Sequence, residues 1–308
     1  MKTKVHLASL MFAAIFGFSF MFSKIALDYV SPIGLISYRF LVAAIVFEAI
    51  RRLKLITIQL KRSQIKALLV VAIFQPFLYF IFEIYGLNLI ASSEAGMMIA
   101  LIPVFVGILS AIILKEKPKP LQIFFILLSV SGILYIQISV YNTNTESSLL
   151  GFILVFGAVI SAALFNIASR SASRTVKAHE LTYFMMIFGA MTFNTIYLAF
   201  LLYERRPYDY FLNLLQVELI LPIVYLGVMA SIVAFFLVNF ALSRLEAHVS
   251  SIYANLVTIV GIFAGYFILN EALGSYHFIG SAMIIIGVYG TVRSGRGIRK
   301  LSIDPPKA

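Results

Sequence analysis

Ten apolar runs, each near the length of a membrane-crossing helix, dominate this chain: 7–27, 31–50, 66–89, 95–114, 121–140, 149–168, 181–202, 219–241, 249–269 and 276–292. A hydrocarbon layer about 30 Å thick takes about 20 helical residues to cross. Lipid offers no partner for free backbone N–H and C=O groups, so only helices or a closed barrel span it. Barrel strands alternate apolar and polar residues, and LLVVAIFQPFLYFIF (68–82) does not. The sequence therefore predicts an all-α polytopic membrane protein. Composition agrees, with 61% hydrophobic and 12% charged residues against about 25% charged in a soluble domain. This excludes a soluble globular, a disordered or a nucleic-acid-binding chain. With no cysteine, disulfides, thiolate metal sites and a Cys nucleophile are ruled out. Lys2 and Lys4 precede the first run as in a signal peptide. The run passes directly into the second with no polar mature domain between, so it is read as a retained helix.

Basic residues set the orientation. With the N-terminus inside, all but Lys24, Arg39, Arg205 and Arg206 of the 24 lysines and arginines fall on the inner side. Ten transmembrane helices with N- and C-termini cytoplasmic follow, in a cell membrane. The net charge of +11 then needs no acidic partner. The basic segment RRLKLITIQLKR (51–62) reads as a solvated inner loop in reach of anionic lipid.

The two halves repeat at an offset of 155 residues. Glu116 falls on Glu271, Gly132 on Gly287, Leu114 on Leu269, Leu101 on Leu256 and Phe80 on Phe235. The chain divides into five-helix halves, 1–145 and 146–308. Because five is odd, the second half starts from the opposite side, giving two inverted repeats. That arrangement is typical of alternating-access transporters, and some channels share it.

The segments FGFSFMFSK (16–24), SPIGLISYRFLVAAIV (31–46) and the stretch 85–136 resemble the EamA-type branch of the drug/metabolite transporter superfamily. The matching residues are Lys24, Pro32, Arg39, Pro103, Glu116 and Gly132, the last two repeated as Glu271 and Gly287. Two departures are visible: the helix-1 aromatic is Phe16 or Phe18 with no Trp, and Pro103 becomes Thr258 in the second half. The resemblance implies ten helices in paired inverted repeats, and export of metabolites or amino acids driven by an ion or substrate gradient.

Catalytic motifs are missing. AHELTYF (178–184) begins like a zinc-protease helix but lacks the second His, and it reads as a helix start. No phosphate loop, metal-ligand cluster or cofactor motif is present. His6, His179, His248 and His277 fall near helix ends and read as interfacial polar residues. Glu116 and Glu271 read as structural residues closing helices 4 and 9. Glu48 lies one turn before Arg51 and Arg52, so a local ion pair is expected.

Ionisable groups inside a membrane are costly, and each is a functional candidate by default. Glu83 and Arg39 lie at matching depths on helices 3 and 2, with Lys24 nearer the outer end of helix 1. They are candidates for a coupling or structural ion pair; a coupling carboxylate at Glu83 would exchange Arg39 for a substrate amine or a proton. Gln75, Tyr79 and Glu83 are spaced by four and share a stripe if helix 3 is continuous. That stripe suits a substrate cavity and equally suits buried hydrogen bonds to neighbouring helices. Helix 9 places Ser251, Asn255 and Thr258 on one face, with Gly96, Ala100 and Pro103 as repeat mates on helix 4. These small faces read as a cavity wall or as close packing, like the Gly261/Gly265 spacing. Asn255, Tyr253, Asn166, Asn239 and Ala100 complete the substrate-site candidates. The expectation is a secondary transporter of a small organic solute (metabolite, amino acid or drug), outward by alternating access, with a proton or other ion as coupling partner. A membrane-embedded enzyme on a lipid-soluble substrate and a channel are the competing classes.

Overall fold

The computed structural model describes residues 2–87, 89, 98–140, 148–269 and 273–295. Within them the chain is helical: α1 Lys2–Leu27, α2 Pro32–Arg52, α3 Arg62–Gly86, α4 Ile102–Leu114, α5 Pro120–Val140, α6 Leu149–Ala172, α7 Ala178–Tyr203, α8 Val217–Leu242, α9 Ala247–Ile268 and α10 Ser275–Ser294. All but α4 are long and apolar enough to span a bilayer by themselves among the described residues. A short helix, Asp209–Leu214, lies between α7 and α8. Large apolar side chains such as Ile112, Phe124, Ile138 and Phe267 stand exposed on the bundle surface. In water they would be a liability; against lipid they are the expected lining. Glu94, Gly96 and Glu271 lie outside the described residues.

Local sequence sets the helix ends. Ser31 caps α2 by accepting the Gly34 N–H at 3.3 Å, with Pro32 at the first helical position, where its missing donor costs nothing. The AHEL segment opens α7. Glu180 accepts the Lys177 and Gln59 N–H groups, and His179 Nε2 lies 3.1 Å from the Thr57 carbonyl oxygen. The basic 51–62 loop is thereby pinned to the N-terminal end of α7.

Helix pairing repeats at a spacing of five helices. α2 packs on α7 and α5 on α10; α6 packs on α3 and α4, while α1 packs on α8 and α9. Exchanging each helix for its mate five places along reproduces the same set. The α5–α10 seam shows this at single residues. A Cβ on Gly132 would lie 2.6 Å from the Gly280 carbonyl oxygen and 3.1 Å from Ile284, and one on Gly287 would lie 2.6 Å from the Phe125 carbonyl oxygen and from Ser129. The offset of 155 turns the first pair of contacts into the second. Close helix approach through glycine is how membrane helices gain packing where no hydrophobic drive exists between them.

Three helices depart from α geometry. α3 contains a π-type segment at Ile73–Leu78, α8 at Tyr225–Val233 and α4 at Ser110–Leu114. The offset places the α3 segment within the α8 segment. Gln75 is extended (φ −150°, ψ 121°) because Pro76 follows it; proline disfavours the helical region at the preceding residue. The expected stripe of Gln75, Tyr79 and Glu83 is therefore interrupted: Tyr79 and Glu83 share a face, and Gln75 belongs to the break.

Candidate functional site

Arg39 sits midway along α2 with 8% of its surface exposed. Its Nε donates to Ser231 Oγ at 2.6 Å, and Ser231 in turn donates to the Leu226 carbonyl at 2.8 Å. Such a bond to a π-type turn is available because the widened turn frees carbonyl groups. The guanidinium carbon lies 5.2 Å from the Phe80 ring centroid and 5.9 Å from that of Phe40, within cation–π range. α8 comes this near because residue 227 is glycine; a Cβ there would lie 3.1 Å from the Arg39 carbonyl oxygen and 2.8 Å from Val42.

Glu83 is half-buried on α3 and accepts from the Tyr79 hydroxyl at 2.8 Å. Arg39 and Glu83 are in electrostatic reach of each other but form no ion pair of 4.0 Å or less. Each is held instead by a hydroxyl, Ser231 for Arg39 and Tyr79 for Glu83. A cation and a carboxylate held near each other without direct contact can take the two ends of a dipolar molecule, or exchange a proton at the carboxylate.

The other candidates fall elsewhere. Gln75 is half-buried at the α3 break, near the site in sequence, and its amide makes no hydrogen bond to a described residue. Asn255, in a 3₁₀ turn inside α9, donates to Ser129 Oγ on α5 at 3.0 Å. Tyr253 is buried against α1, its hydroxyl 2.7 Å from His6 Nδ1. Asn239 is fully buried; it accepts from Ser169 at 2.7 Å and donates to Thr182 at 2.9 Å, tying α8 to α6 and α7. Asn166 donates to the Ala162 carbonyl of its own helix. Ala100 is buried just before α4. Lys24 is exposed in the last turn of α1. Of the candidates, then, Arg39, Tyr79 and Glu83 come together.

Sequence reasoning missed Ser231, although it is the one aliphatic hydroxyl in run 219–241. It also missed Arg170, counted with the inner loops but only 2% exposed and paired with Glu116. His248, read as interfacial, is fully buried. Neither group is solvated because α4, α6, α8 and α9 converge there. The expected Glu48 cluster is present: Glu48 bonds Arg51, Arg52 and the Tyr183 hydroxyl. An apolar cleft of about 250 Å³ between α4 and α5, lined by Pro103, Gly107, Pro118 and Ile126, offers no polar contact and is distinct from the Arg39 region.

A bundle of membrane helices whose pairings repeat between its first and last five helices, with a cation and a carboxylate away from lipid, defines a multi-pass membrane protein. The sequence matches the EamA-like transporter family twice, over residues 3–138 and 149–293. The chain belongs to that family and is a membrane transporter of small solutes. An uncharacterized transporter of Bacillus subtilis, YcxC, is 36% identical over 290 residues, covering 94% of this chain and 93% of that protein. A probable amino-acid metabolite efflux pump of Escherichia coli is 24% identical over 293 residues, covering 94% and 95%. A crystal structure at 15% identity superposes with a TM-score of 0.77 over 94% of this chain and 99% of the other, which bears on the fold alone.

Proposed function

We propose that this transporter is a secondary carrier that exports a small zwitterionic metabolite by alternating access. Two inverted halves, 1–145 and 146–308, rock about a site at Arg39, Tyr79 and Glu83, with both termini cytoplasmic. One observation carries the substrate class: a buried guanidinium and a half-buried carboxylate in electrostatic reach of each other, each bonded to a hydroxyl and not neutralised by direct contact. The carboxylate of an amino acid fits the guanidinium nitrogens that Ser231 leaves free, and its ammonium group fits Glu83. Glu83 also serves as the proton acceptor, so that substrate and proton compete for one carboxylate. The relative named as an amino-acid metabolite efflux pump supports this chemistry. No enzymatic step is assigned, and energy comes from a gradient.

Counterflow tests the reading. Proteoliposomes preloaded with unlabelled amino acids should accumulate the matching radiolabelled one, saturably, in a panel that includes a cationic dye. Counterflow of the dye with none for any amino acid would reject the zwitterion assignment. Uptake without counterflow would indicate a channel.

A further inference from the structure

The end of the bundle that carries most lysines and arginines holds a second buried charge pair, separate from Arg39 and Glu83. Arg170, at the end of α6, and Glu116, just past α4, have 2% and 11% of their side chains exposed. Arg170 Nε donates to Glu116 Oε1 at 3.0 Å, and its Nη1 donates to the Leu242 carbonyl at 2.9 Å. The second Glu116 oxygen accepts the Ala247 N–H at 2.9 Å. One carboxylate thus joins the last turn of α4, in the first half, to the ends of α6 and α8 and the start of α9, all in the second. Glu116 is presented rigidly. Lys115 turns left-handed (φ 57°), Ser110 Oγ donates to the Glu116 carbonyl at 3.2 Å, and the Glu116 N–H donates to the Ser110 carbonyl at 3.0 Å. His248, buried, and Glu246, with an oxygen 3.5 Å from the imidazole, flank the pair.

A buried ion pair adds little net stability over an apolar contact of the same size, because desolvation offsets attraction. What it offers is a link that is firm while dry and easily parted once water reaches it, since each charge is then solvated. We propose that Glu116 and Arg170 form the inner gate, which closes this end of the bundle and parts when the site opens to the cytoplasm. The gate rests on the carrier reading above.

The chain has no cysteine, so a single Ser243→Cys, directly after the carbonyl that Arg170 binds, reports opening without a background. Inside-out membrane vesicles are treated with a membrane-impermeant maleimide. Labelling should be slow with the pair intact and about tenfold faster or more in Glu116→Gln and in Arg170→Gln, since either leaves one buried charge unpaired. Arg170→Lys keeps the charge but loses the planar fork; a smaller acceleration is expected. That variant decides the matter where the neutral ones do not reach the membrane. A Ser148→Cys control in each variant should label at its native rate from the opposite face. Unchanged Ser243→Cys labelling in every inserted variant overturns the gate, and acceleration only in right-side-out vesicles overturns its cytoplasmic placement. No substrate enters this assay, so its failure is separable from failed counterflow.

Discussion

Replacing Glu83 by glutamine separates two roles for the charge pair inside the membrane. Had Arg39 and Glu83 been in contact, removing one partner would leave a buried charge alone, at about 3–5 kcal/mol. The geometry gives a smaller figure. Arg39 is held by Ser231 Oγ and by the faces of Phe80 and Phe40, and none of these is touched by the substitution. What changes directly is the Tyr79–Glu83 bond, which goes from charge-assisted to neutral, a loss of about 1 kcal/mol. The lost long-range attraction to Arg39 is opposed by relief of the carboxylate's own desolvation. A net of about 1 kcal/mol corresponds to a fall in Tm of about 1–2 °C for a chain of 308 residues. The expected result is normal membrane yield, a thermal melt in detergent within that range, and counterflow that is lost or no longer responds to pH. Melting lowered by more than about 4 °C would mean that the pair is structural and that the reasoning from hydroxyl-held charges is wrong. A native melt with native, pH-dependent transport would remove Glu83 from both roles.

Orientation is tested by labelling from intact cells: Cys at Ser148 should react with an impermeant maleimide, and Cys at Ser173 only after permeabilisation. Gly132→Leu should abolish folded protein, measured as monodisperse yield in detergent, because its Cβ alone would stand 2.6 Å from the Gly280 carbonyl oxygen; native yield would argue against the α5–α10 seam. Ser231→Ala removes the acceptor of Arg39 Nε and should destabilise by about 1.5–3 kcal/mol. Ser231→Thr should restore most of it, and equal melts for both would leave Ser231 without that role.

Sequence alone determined the class and the plan. Hydrocarbon cannot satisfy free backbone groups, so runs of about 20 apolar residues become helices whatever their neighbours. Hence the ten runs reappear as α1–α10, with run 95–114 described as helix α4 only from Ile102. Arg39 and Glu83 stood out because an ionisable group is costly in lipid. Partner choice was another matter. Asn255 and Asn239 look on paper like groups awaiting a ligand, yet Ser129 in one case and Ser169 with Thr182 in the other take up their amides. Those partners lie between 57 and 126 residues away in the chain, and no periodicity reports such distances. Only tertiary structure set Ser231 against Arg39, interrupted the α3 stripe at Gln75, and paired Arg170 with Glu116. The physical reason is that burial in a membrane helix is decided twice. Hydropathy decides whether a residue leaves water, and helix pairing decides whether it then faces lipid, a neighbour or a cavity. The first is local and legible in the chain; the second depends on contacts between helices far apart in the chain.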